Sequence, residues 1–230
     1  MEVVLLSNLS TKNNFYDSLN KSDINSIKQI PSKKRQESIL GKIALKKAYN
    51  LFNQSAISHK KIKILKDKIG VPSIKNNQKL SCSISHSFGY AGAVVGDKTI
   101  GIDIEKIRNH KKELVNYILL PEELEYVLER NFNLTITKTW VIKEAVLKAI
   151  GAGFRLNPKK LKIYKRFKND YLVTINDKGK LHKREFNVLA FRWKSFYIAI
   201  AMKVKKNGKH KINWNNFTSV QLPKAQGVNR

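Results

Sequence analysis

Two acidic residues, Asp103 and Glu105, stand two positions apart in a stretch with isoleucine at 100, 102 and 104. This alternation predicts a half-buried strand, because successive side chains of a strand point to opposite faces. The two carboxylates then lie side by side on the face opposite the isoleucines, next to Gly101. Like charges held this close repel each other, and a divalent cation such as Mg²⁺ relieves the repulsion. We therefore predict a magnesium site, with Gly101 leaving room for a ligand's phosphate; the alternative is a solvated strand face that pairs with lysines.

A second charged pair, Glu144 and Lys148, lies in a predicted helix over about 137–150. Residues four apart are one turn apart on the same helix face, and most such pairs are only surface ion pairs. The periodicity predicts a buried stripe of Val141, Ile142, Ala145, Val146, Ala149 and Ile150, and an opposite face of Trp140, Glu144, Leu147 and Lys148. A histidine, His86, lies between two serines and follows another predicted strand; a lone histidine is more often structural than catalytic.

The elements that must position these residues are short strands and amphipathic helices. An apolar repeat over 33–52 predicts a helix whose first turn is basic, and Pro121 divides a second helical region over 113–130. Residues 10–31 are interpreted as a loop that could hold a helix. Strands are predicted at 2–6, 62–64, 80–85, 91–95, 161–167, 171–175, 186–191 and 196–204, with a hairpin turn at Lys178-Gly179 and an irregular tail after Val204 that Trp214 and Phe217 would anchor.

The chain has 45 basic and 17 acidic residues among 230, a formal net charge of +28. Such an excess favours an acidic partner: nucleic acid, an anionic membrane, a polyphosphate ligand or an acidic protein. Only eight of the 45 basic residues are arginine, the usual reader of guanine edges, so the charge does not indicate base recognition. A general bias toward Lys, Asn and Ile is the competing explanation.

The single cysteine, Cys82, excludes an internal disulfide, and no Cys/His cluster indicates a zinc site. The first residues do not resemble a signal peptide, and no apolar run is long enough to cross a bilayer. These features predict a cytoplasmic protein with no membrane partner.

Two of these segments together resemble the signature of the 4′-phosphopantetheinyl transferase superfamily. Gly101-Ile102-Asp103 matches its strand motif, and Trp140 followed by Lys143-Glu144-Ala145 and Lys148 matches its helix motif about forty residues later. Two weaker matches are the serine-histidine segment at 83–87 and the helix segment at 38–41. The resemblance covers about residues 33–155, and the chain length favours the monomeric Sfp-type branch.

The resemblance implies an α+β fold with a pseudo-two-fold arrangement of two similar α/β halves. Each half would be an antiparallel sheet packed with helices, with the active site in the cleft between them. The expected boundaries are 1–100 for the N-terminal half, 101–204 for the half that carries the metal-binding motifs, and 205–230 for a basic tail expected to be mobile.

The resemblance also implies the reaction, which transfers 4′-phosphopantetheine from coenzyme A to a serine of an apo carrier protein. Mg²⁺, or Mn²⁺ in its place, would be held by Asp103, Glu105 and Glu144. Lys148 would stabilise or protonate the departing 3′,5′-ADP, and Glu123 is the best candidate base for the serine. The expected contacts to coenzyme A are Ser85 and His86 at the 3′-phosphate, Ser38 near the nucleotide, and Lys33, Lys34, Arg35 or Lys75 in place of a basic residue missing at Val71.

The implied partners are coenzyme A and acidic carrier proteins, which the basic surface would attract at a rate that falls with added salt. We expect a monomer, and we do not expect nucleic acid as a partner. Two alternatives remain: a metal-dependent nuclease, which would use the same acidic residues, and a non-catalytic basic nucleic-acid-binding protein, which would not need them.

Overall fold

Two β-sheets, each covered by one long helix, form the framework of the protein. The computed structural model describes residues 2–7, 15–128, 131–152, 155–175, 184–204 and 220–221. The predicted turn at Lys178-Gly179 and the predicted anchors Trp214 and Phe217 lie outside the described residues.

The helices and strands follow one another in an order that mixes the two types. In chain order they are β1 (Glu2–Ser7), α1 (Lys21–Lys28), α2 (Ser32–Phe52), β2 (Ile64–Lys66), β3 (Pro72–Ile74), β4 (Ser81–Ser87), β5 (Tyr90–Gly96), β6 (Ile100–Lys106), α3 (Lys112–Ile118), α4 (Pro121–Leu128), α5 (Phe132–Ala149), β7 (Leu161–Phe167), β8 (Asp170–Ile175), β9 (Arg184–Trp193), β10 (Phe196–Lys203) and β11 (Val220–Gln221). Short 3₁₀ turns occur at Phe15–Ser18, His59–Lys61 and Pro158–Lys160.

The first sheet has the strand order β11-β1-β5-β4 and the second has the order β6-β10-β9-β8-β7. Helix α2 packs on β1, β5 and β4, and α5 packs on β6, β10 and β9. The mixture of helices with largely antiparallel sheets confirms the α+β class, while the pseudo-two-fold relation stays a prediction. One detail of the expected fold is wrong, because β11 pairs with β1 in parallel and the first sheet is therefore mixed.

Most predicted elements are present, with shifted ends. The helix predicted over 33–52 is α2, and Pro121 begins α4 as expected. Residues 21–28, interpreted as loop with a helix as the option, form α1, whose Asn20 side chain accepts from the amide of Asp23. Helix α5 begins five residues earlier than predicted, because Asn131 caps its first turn by accepting from the Leu134 amide.

The expected two faces of α5 are not found, since residues 141–147 are all buried. Leu147, predicted to lie opposite the buried stripe, is fully buried in the same core cluster as Val141 and Ile142. The reason is that α5 covers β6 and β10 on one side while its last turn reaches β4 through Lys148. Among the described residues, no helix is both long enough and apolar enough to span a membrane.

Strands β4 and β6 belong to different sheets and are joined by serine side chains. The amides of Ile100, Ile102, Ile104 and Lys106 donate to the Oγ atoms of Ser81, Ser83, Ser85 and Ser87, respectively, at 3.1–3.3 Å. The period of two places all four hydroxyls on one side of β4. This serine row fixes the register of β6, which carries the acidic pair, against β4.

Replacing Ser83 with alanine is expected to lower the free energy of unfolding by about 1–3 kcal/mol, because the buried Ile102 amide loses its acceptor. Denaturant unfolding measures the change. The matched control is Ser22→Ala, which removes the hydroxyl of an exposed serine and is expected to stay within about 0.5 kcal/mol. Equal losses in the two variants would contradict a structural role for the serine row.

Candidate active site

Three carboxylates from two elements form an acidic cluster between β6 and α5. Asp103 and Glu105 come from β6, as their alternation with the isoleucines predicted, and Glu144 comes from α5. Asp103 is 3% exposed and Glu144 is 8% exposed. Carboxylates are seldom buried without compensation, so this cluster requires cations.

One such cation is Lys148, which lies one turn beyond Glu144 on α5 and forms a salt bridge with Asp103. Its Nζ atom is 2.6 Å from Asp103 Oδ1 and also donates to Ser85 Oγ at 2.8 Å. The Ser85 hydroxyl donates to the same Asp103 oxygen at 2.7 Å. Beside this group, Ser87 donates to Glu105 Oε2 at 2.9 Å. Ser85 and Lys148, both predicted from the sequence, therefore meet at Asp103.

The charge of Lys148, with that of Arg108 near Glu105, compensates the acidic cluster only in part. Burial, followed by the charge of Asp103, raises the pKa of Glu105 to about 7 and the pKa of Glu144 to about 7. Among the residues with described side chains, Asp103 Oδ2 and Glu144 Oε1 are buried oxygens with no hydrogen-bond partner. Unpaired buried carboxylate oxygens in an excess of negative charge fit an oxygen-seeking divalent cation.

The acidic cluster suits a divalent cation by its negative charge and its unpaired oxygens, but its side chains do not form a complete ligand shell. Within the described part of the chain, no three His, Cys, Asp or Glu side chains are already arranged as a metal site. Lys148 occupies one Asp103 oxygen, so binding of a cation requires local adjustment of these side chains. Asp103, Glu105 and Glu144 as metal ligands stay a prediction.

The structure gives Gly101 a role different from the predicted one. A Cβ atom at this position would collide with the carbonyl oxygen of Ala145 and lie 2.5 Å from the amide nitrogen of Ala149. The space beside Gly101 is filled by the backbone of α5, not left open for a phosphate. The glycine therefore allows α5 to approach β6 closely enough to bring Glu144 and Lys148 to the acidic pair.

The raised pKa values predict how stability depends on pH and Mg²⁺. Folding without metal raises the pKa of Glu105 and Glu144 from the ordinary value of 4.5 to about 7. The stabilisation by bound protons is complete below pH 4.5 and is lost as the pH rises through 7.

Above pH 7 the charged cluster should bind Mg²⁺, so we expect Mg²⁺ to raise Tm by at least about 2–4 °C at pH 8 and by much less at pH 5.5. Differential scanning fluorimetry with EDTA or Mg²⁺ measures this; equal shifts at both pH values would contradict it.

The candidate base Glu123 is paired with another charged residue of the signature. Its Oε2 atom accepts from Lys143 Nζ at 2.6 Å and from the Leu120 amide at 2.9 Å. Lys143 is fully buried and also donates to the carbonyl of Ile118. The described contacts of Glu123 thus join α4 to α5 and do not include the acidic cluster.

His86 lies on β4 one residue from Ser85, and its Nδ1 atom is 3.1 Å from Glu37 Oε2. Burial lowers the pKa of His86; Glu37 opposes this effect and Lys148 adds to it. The other oxygen of Glu37 accepts from the Gly89 amide at 3.0 Å. His86 therefore has an acidic partner on α2 and feels the charge of Lys148.

The remaining predicted contacts to coenzyme A lie on the surface or at its edge. Ser38 is half-buried on α2 next to Glu37, and Lys33 and Lys34 are exposed in the first turn of the same helix. Lys75 is exposed just after β3. Arg35 donates to the carbonyls of Ile30 and Lys28, which ties it to the end of α1.

The sequence did not indicate the contacts of three residues of the site, although Ser87 and Lys143 lie in segments that carry the resemblance. Glu37 pairs with His86, Ser87 donates a hydrogen bond to Glu105, and Lys143 forms a salt bridge with Glu123. Ser87 had a signal, because serine recurs at every second position from 81 to 87. No sequence pattern identifies the partners of Glu37 and Lys143. These partners, His86 and Glu123, lie 49 and 20 positions away in the chain.

Comparison with known proteins gives two similar relatives and one family. A holo-[acyl-carrier-protein] synthase from Clostridium botulinum (strain Alaska E43 / Type E3) is 42% identical over 65 residues, which are 25% of this chain and 53% of the relative. A holo-[acyl-carrier-protein] synthase from Clostridium botulinum (strain Eklund 17B / Type B) is 34% identical over 87 residues, 34% of this chain and 71% of the relative. The chain thus spans about half the length of the first relative and more of the second.

The family model that matches is described as the 4′-phosphopantetheinyl transferase superfamily, and it matches residues 99–201. This stretch contains β6, α5 and the second sheet except for the last two residues of β10, and therefore all three members of the acidic cluster together with Lys148. The Sfp-type branch stays a prediction. On the identity and coverage of these matches, the chain belongs to the 4′-phosphopantetheinyl transferase superfamily.

Proposed function

We propose that this protein transfers the 4′-phosphopantetheine group from coenzyme A to a serine of an apo carrier protein. The observation that carries the proposal is the buried acidic cluster with its unpaired oxygens and Lys148, in a chain of this superfamily. In the reaction, the serine oxygen forms a bond to the β-phosphorus of coenzyme A. The bond from this phosphorus to the bridging oxygen breaks, and 3′,5′-ADP leaves.

The acidic cluster supplies the proposed metal site. Asp103, Glu105 and Glu144 would hold Mg²⁺, with Mn²⁺ as the alternative ion. When bound, the ion neutralises negative charge on the pyrophosphate oxygens. Lys148, whose ammonium already lies at the edge of the cluster, stabilises the departing phosphate by a charge-assisted hydrogen bond or by giving it a proton.

The other predicted residues bind coenzyme A or handle the serine proton. Ser85 and His86 contact the 3′-phosphate, supported by their position beside Lys148. Ser38, one residue from the partner of His86, contacts the nucleotide, and the exposed Lys33, Lys34 and Lys75 attract its phosphates. Arg35 is the weakest of these candidates because α1 already engages its guanidinium.

Glu123 is the proposed base that accepts the serine proton. The proposal for Glu123 rests on the resemblance, since its described contacts are with Lys143 and Leu120. A proton taken up by Glu123 would reduce its attraction to Lys143, which links the base to a buried cation on the helix that carries Glu144.

The partner, the division into halves, the oligomeric state and the location are proposed from the sequence. The net charge of +28 supports an acidic carrier protein as the partner. Division of the chain into halves at residue 100, a monomeric state and a cytoplasmic location remain predictions.

Intact-mass spectrometry tests the reaction. An acidic apo carrier protein incubated with this protein, coenzyme A and Mg²⁺ should gain one phosphopantetheine group. The matched control is the same carrier with its acceptor serine changed to alanine, which should gain nothing. Coenzyme A with Mg²⁺ should also raise Tm, whereas stabilisation by DNA without any gain on several unrelated carriers would favour the nuclease or the nucleic-acid-binding alternative.

A further inference from the structure

The turn between β4 and β5 holds an unfavourable residue. Ser87 pairs with Tyr90, so the turn has two residues, Phe88 and Gly89, and both have positive φ angles, 47° and 79°. Turns of this kind prefer Asn-Gly, because a bulky side chain is strained at positive φ. A strained residue in an otherwise regular hairpin suggests that its side chain serves a function.

The ring of Phe88 is exposed and flanked by cations. Its exposed fraction is 53%, although an aromatic ring gains free energy by burial. Lys106 Nζ lies 4.9 Å and Arg108 Cζ lies 5.4 Å from the centroid of the ring. Lys106 is the last residue of β6 and Arg108 lies two residues beyond it, at the end of the strand that carries Glu105.

The turn is held firmly against the acidic cluster. Ser87, the residue before Phe88, donates to Glu105 and accepts from the Lys106 amide. Gly89, the residue after Phe88, donates to Glu37. The exposed ring is therefore positioned at the edge of the proposed active site by hydrogen bonds on both sides.

A second hairpin turn lies beside the first. Lys194, at φ 53° in the turn between β9 and β10, has its Nζ atom 5.0 Å from the ring centroid of Trp193. Tyr90 packs edge-on against Trp193 with centroids 5.2 Å apart, and the Ile107 amide donates to Ser195. The two turns therefore form one surface, the hairpin surface, which consists of Phe88, Lys106, Arg108, Trp193 and Lys194.

We propose that the hairpin surface is where the apo carrier protein docks, an inference that rests on the proposed function. Its three cations lie beside two aromatic rings, so the surface complements an apolar side chain surrounded by carboxylates. Because Ser87 joins this surface to Glu105, a carrier bound here presents its serine next to the acidic cluster. The exposed ring is the anchor, and the cations select the acidic partner.

The test replaces Phe88 with asparagine, which removes the ring while suiting the turn. We expect KM for the apo carrier to rise roughly tenfold or more, with Tm unchanged or higher and the Kd for coenzyme A within about twofold of the wild type. A lower Tm would be expected if Phe88 had only a structural role. A carrier KM within about twofold of the wild type, or an equal weakening of coenzyme A binding, would overturn the proposal.

The chain offers a matched control at another hairpin. Phe167 is 68% exposed, and Lys168 Nζ lies 5.6 Å from its ring centroid at the turn between β7 and β8. This turn follows β7, the edge strand opposite β6 in the second sheet. Phe167→Asn should leave KM for the carrier within about twofold of the wild type. Equal effects of the two variants would indicate nonspecific contact and overturn the proposal.

Direct binding separates failure of docking from failure of the proposed reaction. Isothermal titration calorimetry measures the Kd of the apo carrier for the wild type, Phe88→Asn and Lys194→Glu, without coenzyme A. Weaker binding by both variants supports docking even if no phosphopantetheine is transferred, which would refute only the reaction. If phosphopantetheine is transferred but the carrier binds the wild type and both variants equally well, only the docking proposal would be refuted. A wild type that binds DNA but no carrier would refute both.

Discussion

Replacing Glu144 with glutamine is expected to lower the rate of phosphopantetheine transfer by at least about 10²-fold while leaving the protein folded. Mutation of a residue that only hydrogen-bonds to a metal ligand typically lowers activity about 10–100-fold. Because Glu144 is itself a proposed metal ligand, we expect a larger loss of activity. Stability should move in the opposite direction. Without metal at pH 8 the charged Glu144 is buried among Asp103 and Glu105, and the neutral amide removes this repulsion. Intact-mass kinetics and thermal unfolding of the same preparation measure both effects.

The matched control for this variant is Glu113→Gln, a charge change at an exposed position in the first turn of α3. It should transfer phosphopantetheine at the rate of the wild type. Retained activity in Glu144→Gln would contradict the assignment of Glu144 to the metal site. Loss of activity together with a fall in Tm would instead indicate that Glu144 supports the fold.

Replacing Gly101 with alanine should strongly destabilise the fold. The added Cβ collides with the backbone of α5 at Ala145 and Ala149, and backbone cannot move aside as a flexible side chain can. We expect a loss of about 3 kcal/mol or more in the free energy of unfolding. Because α5 would be displaced from β6, transfer activity should fall as well. Denaturant unfolding and intact-mass kinetics measure the two losses.

Gly70→Ala separates this collision from the general cost of replacing glycine. Gly70 has φ 87° and nothing within 4 Å of an added Cβ, so alanine there meets only backbone strain. Its expected cost is about 1 kcal/mol, with activity retained. If Gly101→Ala proved no more destabilising than Gly70→Ala, the close approach of α5 to β6 would not be essential for the fold.

Local periodicity was sufficient to predict the elements that carry the site. Alternation placed Asp103 and Glu105 on one face of a strand, and the four-residue spacing placed Glu144 and Lys148 one turn apart; both features are present. These predictions succeed because they depend only on the geometry of the element itself. The same reasoning failed for the two faces of α5, since burial depends on what packs around the helix.

The amino-acid sequence by itself determined the order of the elements, the candidate residues and the resemblance to the superfamily. Only the tertiary structure decided which side chains meet: Lys148 at Asp103, Lys143 at Glu123, and Glu37 at His86. It also showed that Gly101 accommodates a helix and that burial raises the pKa of Glu105 and Glu144. The physical reason is that spacing along one element is set by its own backbone geometry, whereas contacts and desolvation between elements depend on packing of the whole chain.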